Sequence, residues 1–175
     1  MRIFVAIAAN QLSFDSKSTL KKIRVNLDKK EIDARWVPET NFHVSLNFIG
    51  EMGSEQLLPL KTELQTVASK HSSFSLEVSQ MGVFPSDRAG RVIWLGIQNS
   101  IALRALQADT CQAISKLGLP VDERQYVPHL TVARLRSPRN LKDLISPLKN
   151  HNFGIIEVKE VTLYESKLTW IISCV

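Results

Sequence analysis

The sequence predicts an α+β fold of largely antiparallel strands with helices packed outside, and three observations carry that prediction. Short apolar runs and amphipathic helical stretches follow one another in mixed order, not in a strict β–α–β series. Two segments, Phe42-His43-Val44-Ser45-Leu46-Asn47-Phe48 and Pro128-His129-Leu130-Thr131-Val132, alternate apolar and polar residues as half-buried strands do. No linker, repeat array or low-complexity tract divides the 175 residues, and 44% hydrophobic content can fill one domain of ordinary size or two small lobes sharing a core.

The elements are justified in order. Arg2 to Ala9 is an apolar run with one basic residue and an Ala6-Ile7-Ala8 triplet; it is at the lower length limit for a signal peptide and reads better as a first strand. Leu20, Ile23 and Leu27 give helical spacing between Ser13 and Lys30, with Ser13, Asp15 and Ser16 as candidate N-caps. Trp36-Val37-Pro38 is a short extended piece before the first histidine strand, which Gly50 and Gly53 are expected to end. A second helix from Ser54 to Lys70 buries Leu57, Leu60, Leu64 and Val67 and tolerates Pro59 in its first turn. Phe74 to Val78 alternates as a strand, and Arg91 to Ile97 forms a second after the turn at Pro85-Ser86-Asp87, so a hairpin is expected. Leu103, Leu106, Thr110, Ala113 and Leu117 stripe a third helix over 101–117, stopped by Gly118 and Pro120. After the second histidine strand come a helix over 141–149 and strands over 155–158 and 161–164.

A net charge of +5 and a pI near 9.4 suit either a polyanionic partner or a plain basic cytosolic protein. The two cysteines, Cys111 and Cys174, have no zinc or redox spacing, so a reducing, cytoplasmic setting is expected. No stretch approaches the length of a membrane span. His71 and His151 sit in polar stretches at element ends and are expected to be solvated.

The chemistry resides in His43-Val44-Ser45-Leu46 and His129-Leu130-Thr131-Val132. On a strand, residues i and i+2 leave one face, so each segment presents an imidazole beside an alcohol while its neighbours pack beneath. The copies are separated by 86 positions, close to half the chain, as two similar halves donating to one site would be. From residues alone, a two-histidine catalytic site and two structural strand histidines stand as alternatives. An imidazole beside an alcohol suits phosphate handling, and two imidazoles, with an ordinary pKa of about 6.5, can supply one base and one acid at neutral pH.

An ordered series of motifs resembles the 2H phosphoesterase superfamily, and within it the bacterial and archaeal RNA 2′,3′-cyclic phosphodiesterases, also called 2′-5′ RNA ligases. The series runs from Arg2-Ile3-Phe4-Val5-Ala6-Ile7 through Trp36-Val37-Pro38, the stretch Asn41 to Gly50, Gly82-Val83-Phe84-Pro85 and Arg91 to Gly96 to Pro128-His129-Leu130-Thr131-Val132-Ala133-Arg134. The resemblance implies a bilobal fold over 1–175: two pseudo-symmetric, intertwined lobes, each with an antiparallel sheet and outer helices, and an active-site cleft between them. It implies a monomer that opens terminal 2′,3′-cyclic phosphates on RNA, such as those of tRNA halves, to 2′-phosphomonoesters. It also implies a related ligation in reverse, with no cofactor, no metal and no membrane. By resemblance His43 is the proton donor and His129 the proton acceptor, with Ser45, Thr131 and Arg134 on phosphate. Tyr126 and Phe4 are candidates for stacking on a terminal base, against ordinary core or rim packing.

Serine replaces the commoner threonine of the first signature, keeping the donor but losing the β-methyl that restricts χ1. Strict alternation puts Arg134 on the face opposite His129 and Thr131, so a cleft role requires a bulge and a surface role does not. After Ser166-Lys167-Leu168 the chain lacks the relatives' glycine turn and tyrosine strand, so its last strand is expected to pair differently. Other readings are a different substrate for the same site (a 2′-5′ oligonucleotide or small cyclic phosphate), a non-catalytic RNA-end binding module, a Ser45 nucleophile lacking its triad, and a metal hydrolase lacking ligand spacing.

Overall fold

The computed structural model describes residues 1–122, 124–165 and 170–174. Along the chain lie β1 (Arg2–Ala8), α1 (Phe14–Lys29), β2 (Ala34–Trp36), β3 (His43–Glu51), α2 (Leu57–Ala68), β4 (Phe74–Phe84) and β5 (Gly90–Ile97). They are followed by α3 (Ile101–Lys116), β6 (His129–Arg139), α4 (Lys142–Ile145), β7 (Asn152–Val158), β8 (Val161–Glu165) and β9 (Trp170–Cys174).

The strands are ordered β7-β4-β5-β6-β3-β1-β8-β9 with every pairing antiparallel, and β2 adds to β6. The two halves of this sheet, β6-β5-β4-β7 and β3-β1-β8-β9, are joined between β3 and β6 by one residue pair, Val44 and Leu130. The halves match strand for strand about that pair: β3 with β6, β1 with β5, β8 with β4, β9 with β7. This is the bilobal α+β arrangement the sequence suggested. Helices α2 and α3 pack on each other and reach β8, β9 and β3, whereas α1 meets β7 and α4 meets β4, so each half carries two helices.

Local chemistry explains the element ends. Ser13 caps α1 by accepting from the Ser16 amide at 3.2 Å, and Ser100 caps α3 by accepting from the Leu103 amide at 3.2 Å. Gly118, at φ +68°, takes the left-handed conformation that ends α3. Leu60, Leu64 and Val67 of α2 and Leu103, Leu106, Thr110 and Ala113 of α3 are buried as their spacing requires, with Leu57 and Leu117 at the margin.

Some boundaries depart from the sequence reading. Strand β3 ends at Glu51, between the two glycines expected to end it, with Gly50 at φ +87°, but other boundaries move further. Strand β4 extends to Phe84, because a bulge between Ser79 and Met81, with Gln80 at φ 67°, restarts the ladder after the expected end at Val78. The helix expected over 141–149 is one turn, α4, followed by a 3₁₀ turn over Ser146–Leu148, since Pro147 cannot donate to a longer α-helix. The last strand, β9, pairs antiparallel with β8 at the edge of its half.

Candidate active site

The central bridge sets the geometry. Val44 faces Leu130 across antiparallel strands, so one residue to either side His43 stands towards Thr131 and Ser45 towards His129. The two histidines are therefore diagonal neighbours across the bridge, a spacing of about 7–8 Å in a regular ladder, which leaves room for a phosphoryl group between them. Each strand buries the bridge residue and its i+2 neighbour (Val44 and Leu46, Leu130 and Val132) and turns the histidine and hydroxyl outward.

A bulge follows the motif on both strands. In β3 the register against β1 passes from Ser45 to Asn47 and skips Leu46, and in β6 the register against β5 passes from Thr131 to Ala133 and skips Val132. Two consecutive residues are then buried on each strand, Leu46-Asn47 and Val132-Ala133, and the alternation inverts. This corrects the strict alternation read from the first motif. Asn47 turns inward at 3% exposure while Phe48, expected in the core, is 44% exposed. On β6 the same inversion brings Arg134 to the cleft face with His129 and Thr131, and the three side chains line one cavity.

That cavity, about 530 Å³, is also lined by Ser45, Asn47, Phe48, Phe84, Gln107 and Tyr126. His43 lies close enough to His129 and Arg134, which line the cavity, to feel both charges. Each histidine is held by its own strand: Nδ1 of His43 lies 2.7 Å from the Asn41 carbonyl and Nδ1 of His129 lies 2.8 Å from the Val127 carbonyl. A carbonyl only accepts, so Nδ1 carries the proton in both rings and Nε2 is the nitrogen left for substrate. Burial is the main cause that lowers the His43 pKa from 6.5; the Asn41 bond opposes it, and the charges of Arg134 and His129 add to it.

Aromatic rings back each imidazole symmetrically. His43 meets Phe4 at 5.1 Å and Tyr164 of β8 at 5.6 Å between centroids. His129 meets Phe84 of β4 at 5.1 Å and Trp94 at 6.3 Å. Gly82 permits the second set: a Cβ there would come within 2.2 Å of the Trp94 ring, so only glycine lets the indole cross β4. This gives a physical reason for the glycine in Gly82-Val83-Phe84-Pro85.

The structure thus brings His43, Ser45, His129, Thr131 and Arg134 together. Phe4 is stacked on Tyr164 at 4.9 Å and 5° and supports the His43 ring from one side. Tyr126 borders the cavity, and its hydroxyl donates to the Ser45 carbonyl at 3.1 Å, tying the segment before β6 to the opposite wall; burial raises its pKa. Phe48, Phe84 and Asn47 were missed as cleft residues, and only the bulge could have revealed the first. Asn47 Oδ1 accepts from the Asp122 amide at 3.4 Å, a second tie to that segment.

The remaining histidines are not simply solvated. His71 Nε2 pairs with Asp109 Oδ2 at 2.8 Å with its side chain 16% exposed, because the loop after α2 lies against α3. His151 packs edge-on to the buried Phe153 at 4.6 Å. Among the described residues, no three His, Cys, Asp or Glu side chains gather as metal ligands, and no helix is long and apolar enough to cross a membrane.

Two half-sheets that each carry a His-x-(Ser/Thr) strand to one shared cleft define a 2H phosphoesterase. The family model described as the 2′-5′ RNA ligase superfamily matches residues 14–169, and the chain belongs to that superfamily. A protein of Methanothermobacter thermautotrophicus named RNA 2′,3′-cyclic phosphodiesterase is 33% identical over 172 residues, 97% of this chain and 91% of its own length. One of Thermotoga maritima with the same name is 31% identical over 172 residues, 97% of this chain and 88% of that one. The fold is that of a Thermus thermophilus protein (TM-score 0.81, 19% identity, 99% of this chain and 97% of that one). It is also that of E. coli LigT crystallised with 3′-AMP (TM-score 0.68, 23% identity, 98% and 95%).

Proposed function

We propose that this chain hydrolyses 2′,3′-cyclic phosphodiester ends of RNA to 2′-phosphomonoesters, with His43 as general acid and His129 as general base and no metal in the reaction. The observation that carries the reading is the paired tautomer: both Nδ1–H groups are spent on backbone carbonyls, so two Nε2 atoms remain for one cleft. Relatives at about one-third identity over nearly the whole chain carry the corresponding name.

Neutral His129 Nε2 accepts a proton from water as the water oxygen bonds to phosphorus. The P–O3′ bond breaks on the far side, and the 3′ oxygen takes a proton from His43 Nε2, leaving a 3′ hydroxyl and a 2′-phosphate. The Ser45 and Thr131 hydroxyls and the Arg134 guanidinium face the non-bridging oxygens, where charge redistributes in the transition state. The lowered pKa of His43 makes its imidazolium a stronger acid, at the expense of the protonated fraction in the empty cleft. An anionic phosphate bound between the strands offsets the Arg134 charge and restores that fraction. With an RNA 5′ hydroxyl in place of water, the same displacement forms a P–O5′ bond, breaks P–O3′ and leaves a 2′-5′ linkage, so the same groups serve a ligation.

The test is wild type against a His43→Ala, His129→Ala double variant, in EDTA, on a short RNA ending in a 2′,3′-cyclic phosphate, with the product's phosphate position identified. Conversion to the 2′-phosphate by wild type alone is expected. No conversion by folded wild type overturns the reading and favours another cyclic phosphate or an RNA-end binding role.

A further inference from the structure

We infer that Arg35 extends the phosphate site beyond the reacting end, so that the protein grips the phosphodiester one nucleotide upstream and prefers RNA chains to cyclic mononucleotides. This inference rests on the proposed activity for its substrate but on a separate part of the structure for its evidence. Strand β2 adds to the free edge of β6 just past the bulge, and its register places Ala34 against Leu135, Arg35 against Arg134 and Trp36 against Ala133. Directly paired residues on antiparallel strands share a face. Leu135 and Ala133 are buried, and Ala34 and Trp36 line the groove beneath α1. Arg35 therefore leaves the sheet on the other face, the face from which Arg134 enters the catalytic cavity.

Two arginines directly opposite one another repel, and such a pair disfavours the ladder unless an anion lies against it. Among the described residues neither Arg35 nor Arg134 takes part in a salt bridge, although Lys17, Arg124, Arg136 and Lys149 each do. The next residue on that face, Arg136, is neutralised by Asp33 at 2.9 Å. It lies about 6.6 Å further along the strand, twice the rise per residue. Along this face of β6 the Arg35–Arg134 step without a carboxylate is thus followed by a cation that a carboxylate neutralises. That pattern fits one phosphate past the reacting one, not a long polyanion track. The occupant is an RNA phosphodiester because Arg134 shares its cavity with His129 and Thr131, and the chain leaving that cavity over β2 is the substrate's own 5′ side.

The experiment compares wild type, Arg35→Ala and Arg35→Lys on 2′,3′-cyclic AMP and on a short RNA with a cyclic phosphate end. Anisotropy binding of a short RNA ending in a 2′-phosphate is measured alongside, over a series of potassium chloride concentrations. Arg35→Ala is expected to lower the RNA-to-mononucleotide ratio of kcat/KM about tenfold, chiefly through KM for RNA, the size of one lost charged hydrogen bond. The slope of log Kd against log salt should shrink by about 0.7, one phosphate contact on a single strand, and Arg35→Lys should retain that slope. Equal loss on both substrates, or an unchanged salt slope, overturns the inference. If wild type turns over neither substrate, the proposed activity fails while the binding slope alone decides the role of Arg35.

Discussion

The two walls of the cleft are built alike and finished differently. Each has a histidine tied through Nδ1 to the carbonyl two residues back, a hydroxyl at i+2, a bulge after it, and an aromatic from the third strand against the imidazole. Past the bulge they diverge at equivalent positions: β6 presents Arg134 and β3 presents Phe48. The guanidinium on the Phe48 side comes from Arg2, 5.0 Å over its ring, and so is held by the neighbouring strand β1. Symmetry thus supplies the paired imidazoles, while its breaking gives one wall a guanidinium of its own strand and the other an aromatic ring capped by a guanidinium from the next strand. A cyclic nucleotide has the same asymmetry, an anionic ring phosphate on one side and a base on the other.

The sharpest way to break the comparison is to remove each histidine singly. His43→Ala and His129→Ala should each lower kcat by about 10²- to 10⁴-fold, and the double variant by less than the product, because acid and base act in one transition state. A loss confined to one wall would mean that the shared geometry does not imply shared work. Next, Arg134→Ala should lower kcat/KM by about ten- to a hundredfold, from the loss of a charged hydrogen bond of about 1.5–3 kcal/mol, whereas Phe48→Ala should act mainly on KM.

The same Arg134 variant sharpens the electrostatic contrast. Followed by NMR in the empty protein, His43 should titrate below 6.5, and it should move upward when Arg134 is replaced by alanine or when inorganic phosphate is added. Because the folded-state value is lowered, the unfolded chain binds more protons between the two values. The stability this confers is present above the ordinary value and is lost as pH falls through the lowered one. Tyr126→Phe removes the hydroxyl that donates to the Ser45 carbonyl and should cost about 0.5–1.5 kcal/mol in a denaturant titration. The smallest effect is expected from Ser45→Thr and Thr131→Ser, which exchange the χ1 restraint between walls and should change kcat by less than about threefold.

The periodicity of the sequence was sufficient for the first three helices and for the alternation around both histidines, because each buries one continuous stripe. It was insufficient beyond Ser45 and Thr131. A bulge is a property of the pairing between strands, and nothing local in Leu46-Asn47 or Val132-Ala133 announces it. The sequence could therefore name Arg134 as needing a bulge to reach the cleft without showing that one exists, and it placed Phe48 in the core. Strand β4 was cut short for the same reason at Gln80. His71 was misjudged because its partner Asp109 lies on another element. Where a side chain's placement depended on position along one strand it was legible; where it depended on register across two, it was not.

The order of the strands in space differs from their order of synthesis. The half that carries His129 is complete once β7 has emerged. The half that carries His43 waits for β8, which packs between β1 and β9 and supplies the Tyr164 ring beside that imidazole. A chain still attached to the ribosome can therefore display both histidine motifs and yet lack one wall's backing. The His43 wall is thus the last part of the cleft to be completed, although its motif is the first of the two to be made.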